Sequence, residues 1–248
     1  MSPDLSPDLT LALELADAAD EITLARFKAA DLHVETKPDR TPVTEADRAV
    51  EEELRRLLAE QRPGHRVVGE EFGTSGDGDA PRWIVDPIDA TKNYLRGIPV
   101  FATLIALEEQ VAVVSAPALG RRWWAERGAG AFGDGQRLNV SRVERLEDAV
   151  VTYTSLHGFD DRFLAVLDRS WAPRGFGDFW QYMLLAEGAV DACVESAANL
   201  WDLAAPKLIV EEAGGRLTDL TGEQRADGGN ALASNGLLHG TLLDALHA

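Results

Sequence analysis

Arg82-Trp83-Ile84-Val85-Asp86-Pro87-Ile88-Asp89-Ala90-Thr91-Lys92-Asn93-Tyr94-Leu95-Arg96-Gly97 reads as a strand, a turn and the start of a helix, with two carboxylates at the junction. Trp83, Ile84 and Val85 form a short apolar run suited to a buried strand, and Asp86 and Asp89 follow at its exit. Pro87 fixes its own φ and removes a donor, so a turn is expected there, after which Ala90 to Leu95 can open a helix. A turn between strand and helix aims backbone N–H groups outward, where they favour an anion such as phosphate. Carboxylates beside such a site repel the anion unless cations lie between them. An all-oxygen donor set suits magnesium, which is commonly held by one or two carboxylates together with substrate phosphate.

The 248 residues can bury a substantial core, as one large domain or as two closely packed halves. No apolar run approaches the length of a bilayer span, and the N-terminal residues lack the charged and apolar regions of a signal peptide, so the expected location is the cytoplasm, with no membrane partner. Cys193 is the only cysteine, which excludes an internal disulfide and a cysteine-based zinc cluster and suggests a small buried residue. The formal net charge of −18 argues against nucleic acid as a partner. Most of that acidity reads as solvated surface, while a few carboxylates can be collected around cations, and the overall field attracts a cationic small molecule.

Upstream, residues to about Asp8 read as a frayed terminus. Leu11, Leu15, Ala18, Ile22, Ala25 and Ala29 then share one face of a packing helix. The polar segment from Glu35 to Val43 contains two prolines and is expected to be a loop or extended arm. Thr44 and Asp47 form a capping-box pattern opening a helix whose apolar face is Val43, Val50, Leu54 and Leu57. For Asp47 the cap and a catalytic role stand level. Val67 and Val68 suggest a strand delivering Glu70 and Glu71, of which only one is expected to enter a given site because neighbours on a strand face opposite ways. Gly73 to Asp79 reads as a surface loop.

Downstream, residues 101–107, 111–117 and 121–127 read as strands. Gly128 to Gly133 matches G-x-G-x-x-G, but Asp134-Gly135 follows as a turn signal where the dinucleotide fingerprint needs a helix, so no cofactor site is expected. The second half alternates strand and helix: a strand from Val150, helices near 160–167 and 179–188, a strand ending at Glu195, and a helix from Leu200 closed by Gly214-Gly215. Asp202 near the start of that last helix reads by itself as an N-cap, with Pro206 tolerated early in the helix.

Four pieces taken together resemble the inositol monophosphatase-like, metal-dependent phosphatases over nearly the whole chain: Lys37 to Asp47, Gly69-Glu70-Glu71, Trp83 to Thr91, and Trp201-Asp202-Leu203-Ala204-Ala205 followed by Glu212-Ala213-Gly214-Gly215. The resemblance implies an α/β (α+β) fold, a layered α/β/α/β/α sandwich of the inositol monophosphatase type. Residues 1–147 would carry the metal and phosphate site, and residues 148–248 the substrate-side contacts and the last metal ligand. It implies Glu70, Asp86, Asp89, Asp202 and the Ile88 carbonyl as metal ligands, with about two or three Mg2+ per active site. It further implies that Asp47 and Thr91, with Glu70, serve the attacking water, that Ala90 and Thr91 hold phosphate, and that the substrate is a small-molecule phosphate monoester handled by a homodimer. The family usually has Asp-Gly-Thr where this chain has Asp89-Ala90-Thr91, and an alanine is harmless there only if its φ is negative.

The segments Asp86 to Leu107, Ser115 to Ala125, Gly177-Asp178-Phe179 and Ala186 to Asp191 resemble, within that superfamily, the bacterial histidinol-phosphate phosphatases, whose substrate is an amino alcohol phosphate with an imidazole. A cationic amine calls for a carboxylate. Glu195 occupies the family position that contacts the non-phosphate part of the substrate, and Asp178 and Asp202 are further candidates; a solvated surface acid is the plainer reading of Glu195 and Asp178. Trp180, Tyr182 and Tyr94 read as core residues ahead of stacking partners. The alternatives are an inositol-1-monophosphatase or other sugar phosphatase, and a metal-binding regulatory protein that lost turnover through Ala90.

Overall fold

The computed structural model describes residues 5–38 and 41–247. Chain order is α1 (Pro7–Arg26), β1 (Val34–Thr36), β2 (Pro42–Thr44), α2 (Glu45–Gln61), β3 (Arg66–Gly69), β4 (Gly73–Ser75), β5 (Arg82–Asp89), α3 (Thr91–Leu95), β6 (Ala102–Leu107), β7 (Val111–Ala116), β8 (Arg121–Glu126), β9 (Gly130–Gly133), β10 (Gln136–Arg137), β11 (Val150–Tyr153), α4 (Asp161–Arg169), β12 (Ala172–Arg174), α5 (Asp178–Ala186), β13 (Ala192–Glu195), α6 (Leu200–Glu212), β14 (Arg216–Thr218), β15 (Ala231–Ser234) and α7 (His239–His247). One sheet has eight strands in the order β10-β9-β8-β7-β6-β5-β3-β4, and a second has five in the order β12-β11-β13-β15-β14. Among the described residues no helix is long and apolar enough to cross a membrane.

Side-chain alternation along the strands decides the layers. On β6, Ala102, Leu104 and Ala106 pack with Phe179 and Met183 of α5 and Leu208 of α6, while Ile105 and Leu107 pack with Leu15 of α1 and Leu54 of α2. On β13, Cys193 faces the α5 and α6 layer, whereas Ala192 and Val194 face Phe163 of α4 and Leu242 of α7. The result is five layers: α1 and α2, the large sheet, α5 and α6, the small sheet, then α4 and α7. Both faces of β5 and β6 are covered, so they read as near-continuous apolar runs.

Local departures from the sequence reading have identifiable causes. Ser6 caps α1 by accepting from the Leu9 N–H, so Pro7 and Asp8 lie in the helix, and of the expected frayed terminus residues 1–4 lie outside the described residues. The buried face of α1 is Leu11, Ala12, Leu15, Ala16, Ala19 and Thr23, rotated from the expected stripe, and Ala29 falls beyond the helix end. The arm from Glu35 to Val43 is built on a hairpin: β1 pairs antiparallel with β2, and Asp39 and Arg40 lie outside the described residues. β4 pairs with β3, which gives structure to the segment expected as a loop.

The main correction concerns Pro87, where a turn was expected. The strand continues through it to Asp89, and the ladder with β6 pairs Asp86 with Leu104 and Asp89 with Ala102, leaving an irregularity between them. Proline has no N–H to give the ladder, and the Pro87 carbonyl accepts instead from the Thr103 hydroxyl at 2.8 Å. In a regular strand, residues three apart face opposite ways; the extra residue of a bulge resets the alternation. Asp86 and Asp89 can therefore converge.

Leu54 is fully buried between α2 and the large sheet. Leu54→Ala should cost about 2–5 kcal/mol, read as a lower denaturant midpoint with an unchanged m-value.

Candidate active site

Three elements meet at the C-terminal end of β5. Period-two alternation puts Asp86 on the same face as Ile84, the face that looks toward α6. The bulge brings Asp89 to the same side, and Asp202 enters from the first turn of α6. One oxygen from each of Asp86, Asp89 and Asp202 lies within 4.8 Å of the others. These three, with Glu70, Ala90, Thr91, Lys92, Asp178, Thr41 and Pro42, line one cleft.

Asp47 makes the cap and also faces Thr91. Its Oδ2 accepts from the Thr44 N–H at 2.7 Å and the Thr44 hydroxyl at 2.6 Å, completing the capping box of α2, while Oδ1 lies 3.5 Å from the Thr91 hydroxyl. The Thr91 hydroxyl also reaches the Ile88 carbonyl at 3.0 Å. Asp202 repeats the device. Asn199 is the N-cap of α6, correcting Asp202 to the third helical position, where its Oδ2 accepts from the Asn199 N–H at 2.6 Å. Asp89 Oδ2 accepts from the Phe179 N–H at 2.5 Å, tying β5 to the start of α5.

Glu70 and Glu71 lie in the turn beyond β3, where strand alternation no longer applies, and both reach Lys37 Nζ, at 2.8 and 2.6 Å. Lys37 was quoted only as part of a motif; its ion pairs depend on the fold of the hairpin arm. Glu195 is no solvated surface acid. It accepts from the Thr154 hydroxyl, from Gln181 Nε2 at 3.2 Å and from the Tyr182 hydroxyl at 2.5 Å. Asp178 lines the cleft at the start of α5 with a φ of 49°. Tyr182 and Tyr94 are core residues, the latter donating to the Thr23 carbonyl.

Ala90 adopts φ 65° and ψ 44°, the left-handed region, as the single residue between β5 and α3. That is the conformation in which the usual glycine is at ease, and alanine there costs roughly 1–2 kcal/mol.

Burial raises the pKa of Asp47, Asp86, Asp89, Glu195 and Asp202, reinforced by repulsion from neighbouring acids. Asp86 is pushed well up by burial and then by Glu70, Asp89 and Asp202; Asp89 is pushed well up by burial, then by Asp178 and Asp202. Asp47 and Asp202 reach about 6, their cap hydrogen bonds opposing the burial, and Glu195 reaches about 7. Asp86 Oδ1 is buried without a protein partner. An orphaned buried acceptor beside converging carboxylates fits an oxygen-coordinated divalent cation, with Asp86, Asp89 and Asp202 as donors and Glu70 at the same cleft.

The sequence profile of the inositol monophosphatase family matches residues 4–248. A histidinol-phosphatase of Mycobacterium tuberculosis is 54% identical over 255 residues, spanning 97% of this chain and 98% of the relative. One of Streptomyces coelicolor is 53% identical over 263 residues, spanning 99% and 98%. Among solved structures, an IMPase from Thermotoga maritima superposes with a TM-score of 0.89 at 30% identity, covering 98% of this chain and 97% of that one.

The raised carboxyls set a sign for stability. Each holds its proton in the fold above the pH at which the unfolded chain releases it, so the folded state binds more protons and stability falls as pH rises. With chelator present, the melting temperature should decline between about pH 4 and pH 7, the span from the unfolded values to those of Asp47, Asp202 and Glu195. Saturating divalent cation should reverse the slope near neutrality; identical melting curves with and without cation would remove the metal reading.

Proposed function

The chain belongs to the inositol monophosphatase family, and on that premise we propose that it is a magnesium-dependent phosphatase hydrolysing L-histidinol phosphate to L-histidinol and phosphate, in histidine biosynthesis. The observation that carries the substrate is the 53–54% identity, over nearly the full length, to two proteins named histidinol-phosphatase. Asp178 at the cleft, with Glu195 beyond it across the Thr154 hydroxyl, agrees with it, since an amino alcohol phosphate brings a cationic amine. The proposal extends, by family resemblance, to a homodimer working in the cytoplasm.

The reaction breaks the P–O bond to the alcohol as water oxygen bonds to phosphorus; the departing alkoxide takes a proton. Divalent cations, when bound, offset the charge of the phosphate dianion and acidify water. Glu70, Asp86, Asp89, Asp202 and the Ile88 carbonyl would hold them. Thr91 directs its proton toward the Ile88 carbonyl or Asp47 Oδ1, leaving its oxygen to accept from the attacking water. Asp47, lifted by burial to about 6, is placed to take a proton from that water near neutral pH. Ala90 and Thr91 offer backbone N–H groups to the phosphate oxygens at the turn into α3. No side-chain nucleophile is needed for direct transfer to water.

Phosphate release from L-histidinol phosphate should be strong with magnesium and abolished by chelator, and should exceed release from myo-inositol 1-phosphate. Preference for the inositol ester would keep the phosphatase and discard the substrate. The left-handed Ala90 favours a second reading, a metal-binding regulatory protein. Strain present before and after binding cancels from kcat/KM, so for a working phosphatase Ala90→Gly should leave kcat/KM within about fivefold. A rise of about 100-fold or more would favour the regulatory reading.

A further inference from the structure

Glu51 is a carboxylate with 0% of its surface exposed, and it does not line the cleft. It stands one turn beyond Asp47 on α2, so the same helix face carries both. Its Oε2 accepts from the Glu71 N–H at 2.7 Å and its Oε1 from the Phe72 N–H at 3.1 Å. A third donor, Arg55 Nε at 2.8 Å, comes from the next turn of α2, and the Arg55 guanidinium continues to the Ser75 hydroxyl on β4. The partners of Glu51 are thus the backbone of the turn that carries Glu70, and the residue that braces the return strand.

The contact is close enough to constrain the chain on the other side. A Cβ on Gly69, the last residue of β3, would meet Glu51 Oε1 at 2.0 Å, so glycine there is a matter of space for the carboxylate. Burying a carboxylate is costly, and an apolar residue of similar volume commonly serves stability as well or better. The three hydrogen bonds explain what a charge achieves that an apolar residue would not: they fix the main chain at 71 and 72, and with it the direction of the preceding side chain.

We infer that Glu51 is a positioning residue for Glu70, holding the turn at 70–72 so that the Glu70 carboxylate reaches the Asp86, Asp89 and Asp202 cluster. The inference rests on the reading of Glu70 as a cation ligand. Outer partners that orient metal ligands typically change metal affinity by about 10–100-fold when removed.

The test is cation binding by the full chain, followed by thermal shift on titration with magnesium or manganese and, separately, by the cation concentration giving half-maximal phosphate release. Glu51→Gln keeps shape but replaces one acceptor oxygen with a donor. It should weaken cation binding about 10-fold or more, while kcat and the KM for substrate at saturating cation stay within about twofold of wild type. Glu51→Gln combined with Glu70→Gln should bind cation no more weakly than Glu70→Gln alone, as expected for two residues acting through one ligand. Gly69→Ala, which crowds the same carboxylate without changing a charge, should reproduce the pattern and serves if Glu51→Gln does not fold. Wild-type cation affinity in a folded Glu51→Gln or Gly69→Ala, or additive losses in the double variant, would overturn the inference. Wild-type affinity in Glu70→Gln would instead overturn the ligand reading beneath it.

Discussion

Mutual repulsion among buried carboxylates is the constraint around which this protein is arranged. Asp86, Asp89 and Asp202 crowd within 4.8 Å, with Glu70, Asp47 and Asp178 adding to the field on one or more of them. Among the described residues the positive charges facing them are few: Lys37 pairs with Glu70 and Glu71, and Lys92 lines the cleft with Asp178. No core of this composition would form for stability alone, because each unpaired carboxyl carries a desolvation cost. The five layers supply the compensation. Apolar faces buried on both sides of the large sheet hold β5 rigid, and the acids sit at its end.

The convergence itself depends on small backbone irregularities. A bulge at Pro87 turns Asp86 and Asp89 to one side, and a single left-handed residue, Ala90, connects strand to helix without a loop. Proline and the positive φ are local departures from regular geometry, and both stand at the site, where such departures are commonly concentrated.

Much of this was legible in the chain, and the exceptions are instructive. The alternation of apolar residues along β5, β6 and β13 and the capping pattern at Thr44 carried the elements, because those signals are local. Of the residues that the family motifs single out, Glu70, Asp86, Asp89, Thr91 and Asp202 line one cleft, and Asp47 faces Thr91. What sequence could not resolve were features decided by tertiary partners. Only Glu70 of the two neighbouring glutamates lines the cleft, as alternation led one to expect, but the strand ends at Gly69 and a turn brings both to Lys37. Glu195 looked like surface until Thr154, Gln181 and Tyr182 surrounded it. Glu51 left one trace, an acid beside Val50 and four residues beyond Asp47 in the buried stripe of α2, but the main-chain groups that it serves lie on another element.

The capping role of Asp47 and Asp202 does not exclude a role at the site, because a carboxylate has two oxygens. In both residues Oδ2 binds the N-cap backbone, and the helix N-terminus favours the negative charge. Those bonds oppose burial at Asp47 and Asp202, which settle near 6; Asp86, with an oxygen left without a protein partner, is pushed well above the usual carboxylate range by burial and its acidic neighbours. A divalent cation entering the cluster must displace whatever protons burial holds on these carboxyls, so its affinity is tied to pH. The caps thus do more than begin two helices: they favour the charged form of two carboxyls that burial disfavours.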